Sequence, residues 1–306
     1  MKILVTGGAG FIGTALAKRL KHDAHQVDIL DLPKKITAYH RDNFEVRGID
    51  IRNWEEFEKI TGQKYELIFH LAAQTSGAIS QEDPQLDVDT NVKGTLNVCR
   101  FARKIGTKKI VFSSSMAVYG NNTFLIKEDA EIRPLSNYGI SKASGEILIK
   151  AYSQYNINYT ILRLFNVYGP GQDMHNMKQG MVSIYLAQAV KGDEIKITGS
   201  VERYRDLIYI DDAVDAIILA VDNMHNDIVN IGTGKKTTVR ELIQLIAREK
   251  HGREDTLEIV DVGAHDGDQY GTVANIERLN GYNWVVKTDV KTGLCKFYNY
   301  AKEVLL

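Results

Sequence analysis

The chain has 306 residues, of which 44% are hydrophobic and 25% charged, with a formal net charge of −1. A polypeptide of this length buries about three quarters of its unfolded surface, so a full core is available; the near-zero charge supplies no field for nucleic acid. Two cysteines are too few for a disulfide framework or a zinc cluster, and no run reaches the roughly 18 apolar residues of a membrane span.

Apolar runs bounded by turn residues alternate with helix-period segments through the first half. Met1-Lys2-Ile3-Leu4-Val5 resembles a signal peptide only superficially, because glycines interrupt it and no small-residue cleavage site follows. It reads as a buried strand in a protein of the reducing cytoplasm. Residues 2–6, 26–30, 44–46, 67–71, 109–113 and 159–164 read as strands, near-continuously apolar as in a parallel sheet covered on both faces. Residues 11–21, 54–60, 91–105 and 138–155 read as the helices between them, and Cys99 in the third is most simply a buried apolar residue. From about Asn166 the rhythm changes. Residues 169–180 have loop composition, followed by a helix at 181–191, a strand at 195–198 and a strand running into Asp211 and Asp212. A strand at 228–231 and a helix at 239–249 come next. The expectation is an α/β fold with a Rossmann-type doubly wound parallel sheet. Residues 1–166 form the dinucleotide-binding domain. Residues 167–306 form mainly a smaller α/β substrate lobe, with some chain returning to the core.

Gly7-Gly8-Ala9-Gly10-Phe11-Ile12-Gly13 follows strand one and opens a helix. The tight turn and the close approach of a pyrophosphate need residues without Cβ, and the helix N-terminus supplies partial positive charge. Asp31, at the end of strand two, stands where a carboxylate accepts from both ribose hydroxyls and repels a 2′-phosphate. That favours NAD over NADP, with Lys34 and Lys35 weighing the other way. Asp50, with Ile51 after it, either accepts from an adenine amino group or caps the helix at residue 54.

Strand five ends in Ser113-Ser114-Ser115, and Tyr138 and Lys142 lie four apart, on one face of a helix. An ammonium beside a phenol, with an oxidised nicotinamide nearby, favours the phenolate. Lowering a tyrosine from about 10 to near 7 costs roughly 4 kcal/mol. Such a tyrosine can take a proton from a sugar hydroxyl while hydride leaves to nicotinamide, with Ser115 holding the same oxygen. A second pair at this spacing, Tyr298 and Lys302, has no such serine before it and reads as a solvated helix face.

These segments, with His70-Leu-Ala-Ala73, Asn91, Arg163-Leu-Phe-Asn-Val-Tyr-Gly-Pro170 and Arg205-Asp-Leu-Ile-Tyr-Ile-Asp-Asp212, resemble the extended short-chain dehydrogenase/reductases across essentially the whole chain. They look most like the nucleotide-sugar epimerase/dehydratase branch, whose best-known member is UDP-glucose 4-epimerase. The resemblance implies NAD contacts from Gly7, Gly10, Phe11, Ile12, Gly13, Asp31, Leu32, Asp50 and Ile51. It also implies contacts from Leu71, Ala72, Ala73, Asn91, Ser113, Phe165 and Val167, together with Tyr138 as base and Lys142 as modulator. Ser115, Asn166, Val182, Arg205, His265 and Thr272 are implied on the substrate side, with Asn166 and Arg205 on the diphosphate.

In dehydratases of this branch the serine is followed by an acidic pair, and decarboxylases usually keep an acid there. Here the residues are Met116 and Ala117, which transfer no proton. An epimerase using tightly held NAD and a transient 4-keto sugar fits best. A 4-ketoreductase, a dehydratase and a non-catalytic NAD-binding regulator are the alternatives. His265 stands where a second diphosphate-binding arginine is common, or is simply a loop residue. Thr272, being small, is expected to leave room for an acetamido group, admitting UDP-N-acetylhexosamines beside UDP-hexoses. Residues 172–180 read as a substrate lid; His175 has no second ligand at metal-binding spacing, so no metal is expected. The helices at 91–105 and 138–155 occupy the positions that pair in family homodimers. No nucleic-acid or membrane partner is expected.

Overall fold

The computed structural model describes residues 1–121, 125–263 and 269–306. Seven strands form one parallel sheet: β1 (Lys2–Thr6), β2 (Gln26–Asp31), β3 (Glu45–Gly48), β4 (Leu67–His70), β5 (Lys109–Ser115), β6 (Asn158–Leu164) and β7 (Asp227–Ile231). Their order is β7-β6-β5-β4-β1-β2-β3, and every neighbouring pair runs parallel. Helices cover both faces, which is why Ile3, Leu4, Val5, Ile68, Phe69 and Val111 are all fully buried. Strand order reverses between β1 and β4, so their carboxyl ends open the crevice in which ligands of such sheets bind.

The helix Phe11–His22 buries Gly13, Leu16, Ala17 and Leu20, one face of a 3.6-residue period. No side chain caps its N-terminus at Gly10, so its first amides stay free for an anion. The helix Gly94–Ile105 stops at Gly106, whose φ of 74° is left-handed.

Several boundaries differ from expectation. Helical backbone begins at Pro84 rather than at residue 91, because Asp83 caps that proline-initiated turn through the Leu86 amide. A π-helical turn, Val88–Lys93, then joins it to Gly94–Ile105. The helix expected at 138–155 ends at Ala151 and continues as a 3₁₀ turn. Asp211 and Asp212 do not end a strand. The strand is Leu207–Tyr209, and both aspartates lie in the first turn of the helix Ile210–Ile218, where negative charge complements the helix dipole.

Past residue 166 the chain builds small sheets: Asn166–Tyr168 beside Leu207–Tyr209, Tyr204–Arg205 between Thr237–Thr238 and Gly271–Thr272, and Glu194–Ile197 beside Glu258–Asp261. It also returns β7 to the central sheet. Ile3 and Leu16 therefore share one apolar core with Leu186, Ile217 and Phe297, and packing does not break at residue 166. Among the described residues no helix is long and apolar enough to cross a membrane.

Candidate active site

A cleft of about 2020 Å³ runs along the carboxyl ends of the strands, between the sheet and the second-half segments. Its floor is the glycine turn. A Cβ at Gly7, where φ is 71°, would lie 2.6 Å from the Ala72 nitrogen, and one at Gly13 would lie 2.0 Å from the Gly7 oxygen. At Gly10 the only neighbour would be the Gly7 oxygen at 3.2 Å, so this glycine's open side faces the cleft. Two glycines thus close the turn on itself, and the third leaves the backbone bare beside the uncapped helix end. That is the cradle a pyrophosphate requires. Gly13→Ala pushes a methyl into a carbonyl. Overpacking of this kind costs about 1–3 kcal/mol, which corresponds to NAD binding weakened roughly 5- to 150-fold in a calorimetric titration.

Asp31 is held at the end of β2 by two amides: Ala9 donates to its Oδ2 at 3.0 Å and Leu32 to its Oδ1 at 2.8 Å. Burial raises its pKa against the pull of those amides and of Lys35. Asp50 accepts from Arg52 (Nε to Oδ1 3.0 Å, Nη2 to Oδ2 2.6 Å), which holds its carboxyl below the usual range. It is not the cap of the helix Trp54–Glu58, a role taken by Asn53 through the Glu55 amide at 3.0 Å. Asp50 and Ile51 both line the cleft, as do Phe11, Ile12 and Leu32.

Farther along, Leu71, Ala72, Ala73, Ser113, Phe165 and Val167 line the walls. Ser115 closes β5, and its hydroxyl accepts from the Ala117 amide at 3.2 Å and favours ionisation of the Tyr138 phenol. Ser136 caps the helix Asn137–Ala151 through the Gly139 amide at 3.1 Å, which fixes Tyr138 in the first turn, facing β5. Lys142, one turn on, is buried with its ammonium 4.7 Å from the centre of the Phe112 ring. On the substrate side, Arg205 lines the cleft and donates to the Tyr204 and Tyr270 carbonyls at 2.8 and 3.3 Å. Asn166 lines it too, its amide donating to the Asp206 carbonyl at 3.2 Å.

Residues 3–232 match the model of the NAD dependent epimerase/dehydratase family. The chain belongs to that family. It is 37% identical to the UDP-glucose 4-epimerase of Mycolicibacterium smegmatis, over 81% of this chain and 82% of that one. It is 33% identical to the UDP-N-acetyl-alpha-D-glucosaminuronate decarboxylase of Bacillus cytotoxicus, over 82% and 80% of the two chains. The crystal structure of Thermotoga maritima UDP-glucose 4-epimerase with UDP-glucose superposes with a TM-score of 0.92 at 33% identity, covering 100% of both chains. The family thus holds relatives with different reactions, and the site's own residues have to discriminate.

Against the family expectations, three residues stand elsewhere. Asn91 does not line the cleft. It sits behind the wall, accepting from the Gln74 amide at 2.8 Å and donating to the Gln74 carbonyl at 3.0 Å, so it holds that wall rather than forming it. Val182 is 3% exposed, because the helix Met181–Lys191 turns it into the apolar core. Thr272 is fully buried beside the strand that carries Arg205, and its hydroxyl has no partner among the described residues. The room expected at Thr272 for an acetamido group is therefore not part of the cleft, where Val262 and Gln269 stand instead. His265 lies outside the described residues.

The protein alone, without a nicotinamide beside it, sets the ionisation of Tyr138 mainly through burial. Burial pushes the phenol up to about 12, Asp87 adds to this, and Ser115 opposes it. The same burial pushes Lys142 down to about 7, against Glu146 and Asp87. Desolvation is the largest cause in both groups and disfavours the charged form of each.

Other cleft residues carried no signal in the sequence. Thr14 and His40 line the cleft beside Asp31, joined by a 3.1 Å hydrogen bond. The loop at 172–180 roofs the cleft: Lys178 pairs with both oxygens of Glu82 at 2.7 Å, and Ser76 donates to the Lys178 carbonyl at 2.6 Å. His175 belongs to no metal-binding cluster among the described residues.

Proposed function

We infer that the protein is an NAD-dependent 4-epimerase of a nucleotide-diphosphate sugar, with a UDP-hexose the favoured substrate and a UDP-N-acetylhexosamine the neighbouring possibility. The observation that carries this is the turn Met116–Tyr119. It places Met116 and Ala117 in the cleft next to Ser115, so neither of these two positions offers a second acid–base group. Elimination of water, or proton transfer to a carbon, needs an acid–base group at these two positions and finds none. Moving one proton on and off one oxygen does not.

NAD fits the glycine cradle and the Asp31 carboxylate, and when bound it supplies a reversible two-electron acceptor. Tyr138 takes the proton of the sugar 4-hydroxyl and gives it back from the same oxygen. Ser115 holds that oxygen in place, and Lys142 stabilises the phenolate while the proton is away. Asn166 and Arg205 take the diphosphate, the guanidinium through paired hydrogen bonds. Net redox change is zero, so the protein needs only to retain NAD and let the 4-keto sugar turn over.

The purified protein, without added cofactor, is to be incubated with UDP-glucose, UDP-galactose and their N-acetylated and dTDP-linked counterparts. Interconversion of C4 epimers is the expected result. Turnover appearing only with NADPH and a 4-keto sugar would instead make it a reductase, and retained NAD without turnover of any sugar would make it a regulator. The homodimer reading is supported by the helix Asn137–Ala151, which leaves Ile140 and Ile147 51% and 67% exposed two turns apart on one face. A cytoplasmic location fits the two free cysteines.

A further inference from the structure

Beside the Tyr138–Lys142 pair lies a carboxylate that the reaction above leaves unused. Asp87 ends the short helix Pro84–Asp87 and is 1% exposed. It accepts from Gln74 Nε2 at 2.6 Å and from the Ser80 hydroxyl, and forms no ion pair among the described residues. A carboxylate buried without a contacting cation is costly, so this arrangement is sustained at some expense to stability.

The backbone around it is equally unusual. The π turn Val88–Lys93 follows at once, a wide turn that recurs at functional positions. It carries Asn91, which grips the Gln74 backbone and donates to the Ser141 hydroxyl at 2.9 Å; Ser141 in turn donates to the Tyr138 carbonyl at 2.8 Å. An unbroken hydrogen-bonded path thus leads from Asp87 through Gln74, a residue of the cleft wall, to the turn bearing Tyr138 and Lys142. The other carboxylate near Lys142 is Glu146, which is engaged by Arg163 at 2.8 and 2.9 Å. Asp87 is not so engaged.

We propose that Asp87 is a positioning residue that sets the charge state of the Tyr138–Lys142 pair, serving as the buried counter-charge of Lys142 and holding the pair through Gln74 and Asn91. The proposal rests on the role given to that pair above. Its negative charge favours the ammonium of Lys142 and opposes ionisation of Tyr138, so Tyr138 stays protonated until positive charge arrives with the cofactor. The groups facing the pair are Glu146 with Arg163, Ser115 and the Phe112 ring on β5, and His70 on β4, which burial keeps neutral. Around Asp87 stand Ser80, the exposed Glu82 paired with Lys178, and the flanking Asp83 and Asp89.

Tyrosinate absorbance of the NAD-loaded protein, titrated with pH and corrected with Tyr138→Phe, reads the Tyr138 midpoint directly. Asp87→Asn keeps the shape and removes the charge; it is expected to lower that midpoint by about one pH unit, and Asp87→Glu to restore it. The kcat profile with UDP-glucose should slide to lower pH on both limbs, because both ionisations lose the same opposing charge. A midpoint that stays in place, whatever happens to kcat, would overturn the proposal and leave Asp87 a structural residue. If UDP-glucose is not turned over, the epimerase reading suffers but the tyrosinate titration still decides this one. Asp87→Ser provides the same comparison should the Asn variant not fold.

Discussion

Replacing Tyr138 by Phe is expected to lower kcat for C4 interconversion by about 10²–10⁴-fold, the usual worth of a positioned proton-transfer group, while NAD remains bound. The phenol lines the cleft with Ser115, which favours its ionisation, and stands one turn from Lys142. Its removal deletes the proposed proton acceptor without disturbing the glycine cradle or Asp31, which lie on other elements. The aromatic ring is kept, so packing changes little. Initial rates with UDP-glucose, together with cofactor content measured after denaturation, separate the two effects. Activity retained within tenfold would remove Tyr138 from the reaction. Loss of NAD along with activity would mean that the residue acts in binding.

The second large effect concerns stability. Glu146→Ala is expected to destabilise the fold by about 3–5 kcal/mol, because it leaves a guanidinium buried without its counter-charge. Arg163 is 1% exposed and donates to Glu146 through Nε and Nη2, and to Tyr119 and the Glu128 carbonyl through Nη1. Burial works against its charge, yet Glu146 and Tyr119 more than offset this and hold it firmly protonated. Ser114, next to Ser115, donates to the same carboxylate at 2.6 Å. The pair therefore pins β5, β6 and the helix of Tyr138 to one another. Thermal denaturation reads the loss at roughly 2–4 °C for each kcal/mol. The double variant Glu146→Met with Arg163→Met should cost less than either single change, since an apolar pair leaves no orphaned charge. Equal or greater loss would show that the pair contributes shape rather than charge balance.

Much of the fold was legible from local pattern. Continuous apolar runs at β1, β4 and β5 announce a sheet covered on both faces, and the glycine turn between a strand and a helix announces a dinucleotide cradle. The spacing of Tyr138 and Lys142, and the serines closing β5, marked the face proposed to react. Boundaries were less legible where caps compete. Asp83-Pro84 began a helix that apolar periodicity alone dates from residue 91, and Asp211 and Asp212 opened a helix rather than ending a strand.

What the sequence by itself determined was therefore the part encoded by covalent neighbours: which segments extend, which coil, where a Cβ is forbidden, and which chemical groups share a turn. What only the tertiary structure decided was the environment of each group. Thr272 and Val182 proved to be core residues, Asn91 a clamp on Gln74, and Asp50 a partner of Arg52. Burial raises the Tyr138 phenol in the protein alone, because desolvation is set by everything packed around it and not by its neighbour four residues on. Burial and charge pairing join residues far apart in the chain, as with Glu146 and Arg163 or Asp87 and Gln74. Those pairings exist only once β4, β5, β6 and the helices beside them have met.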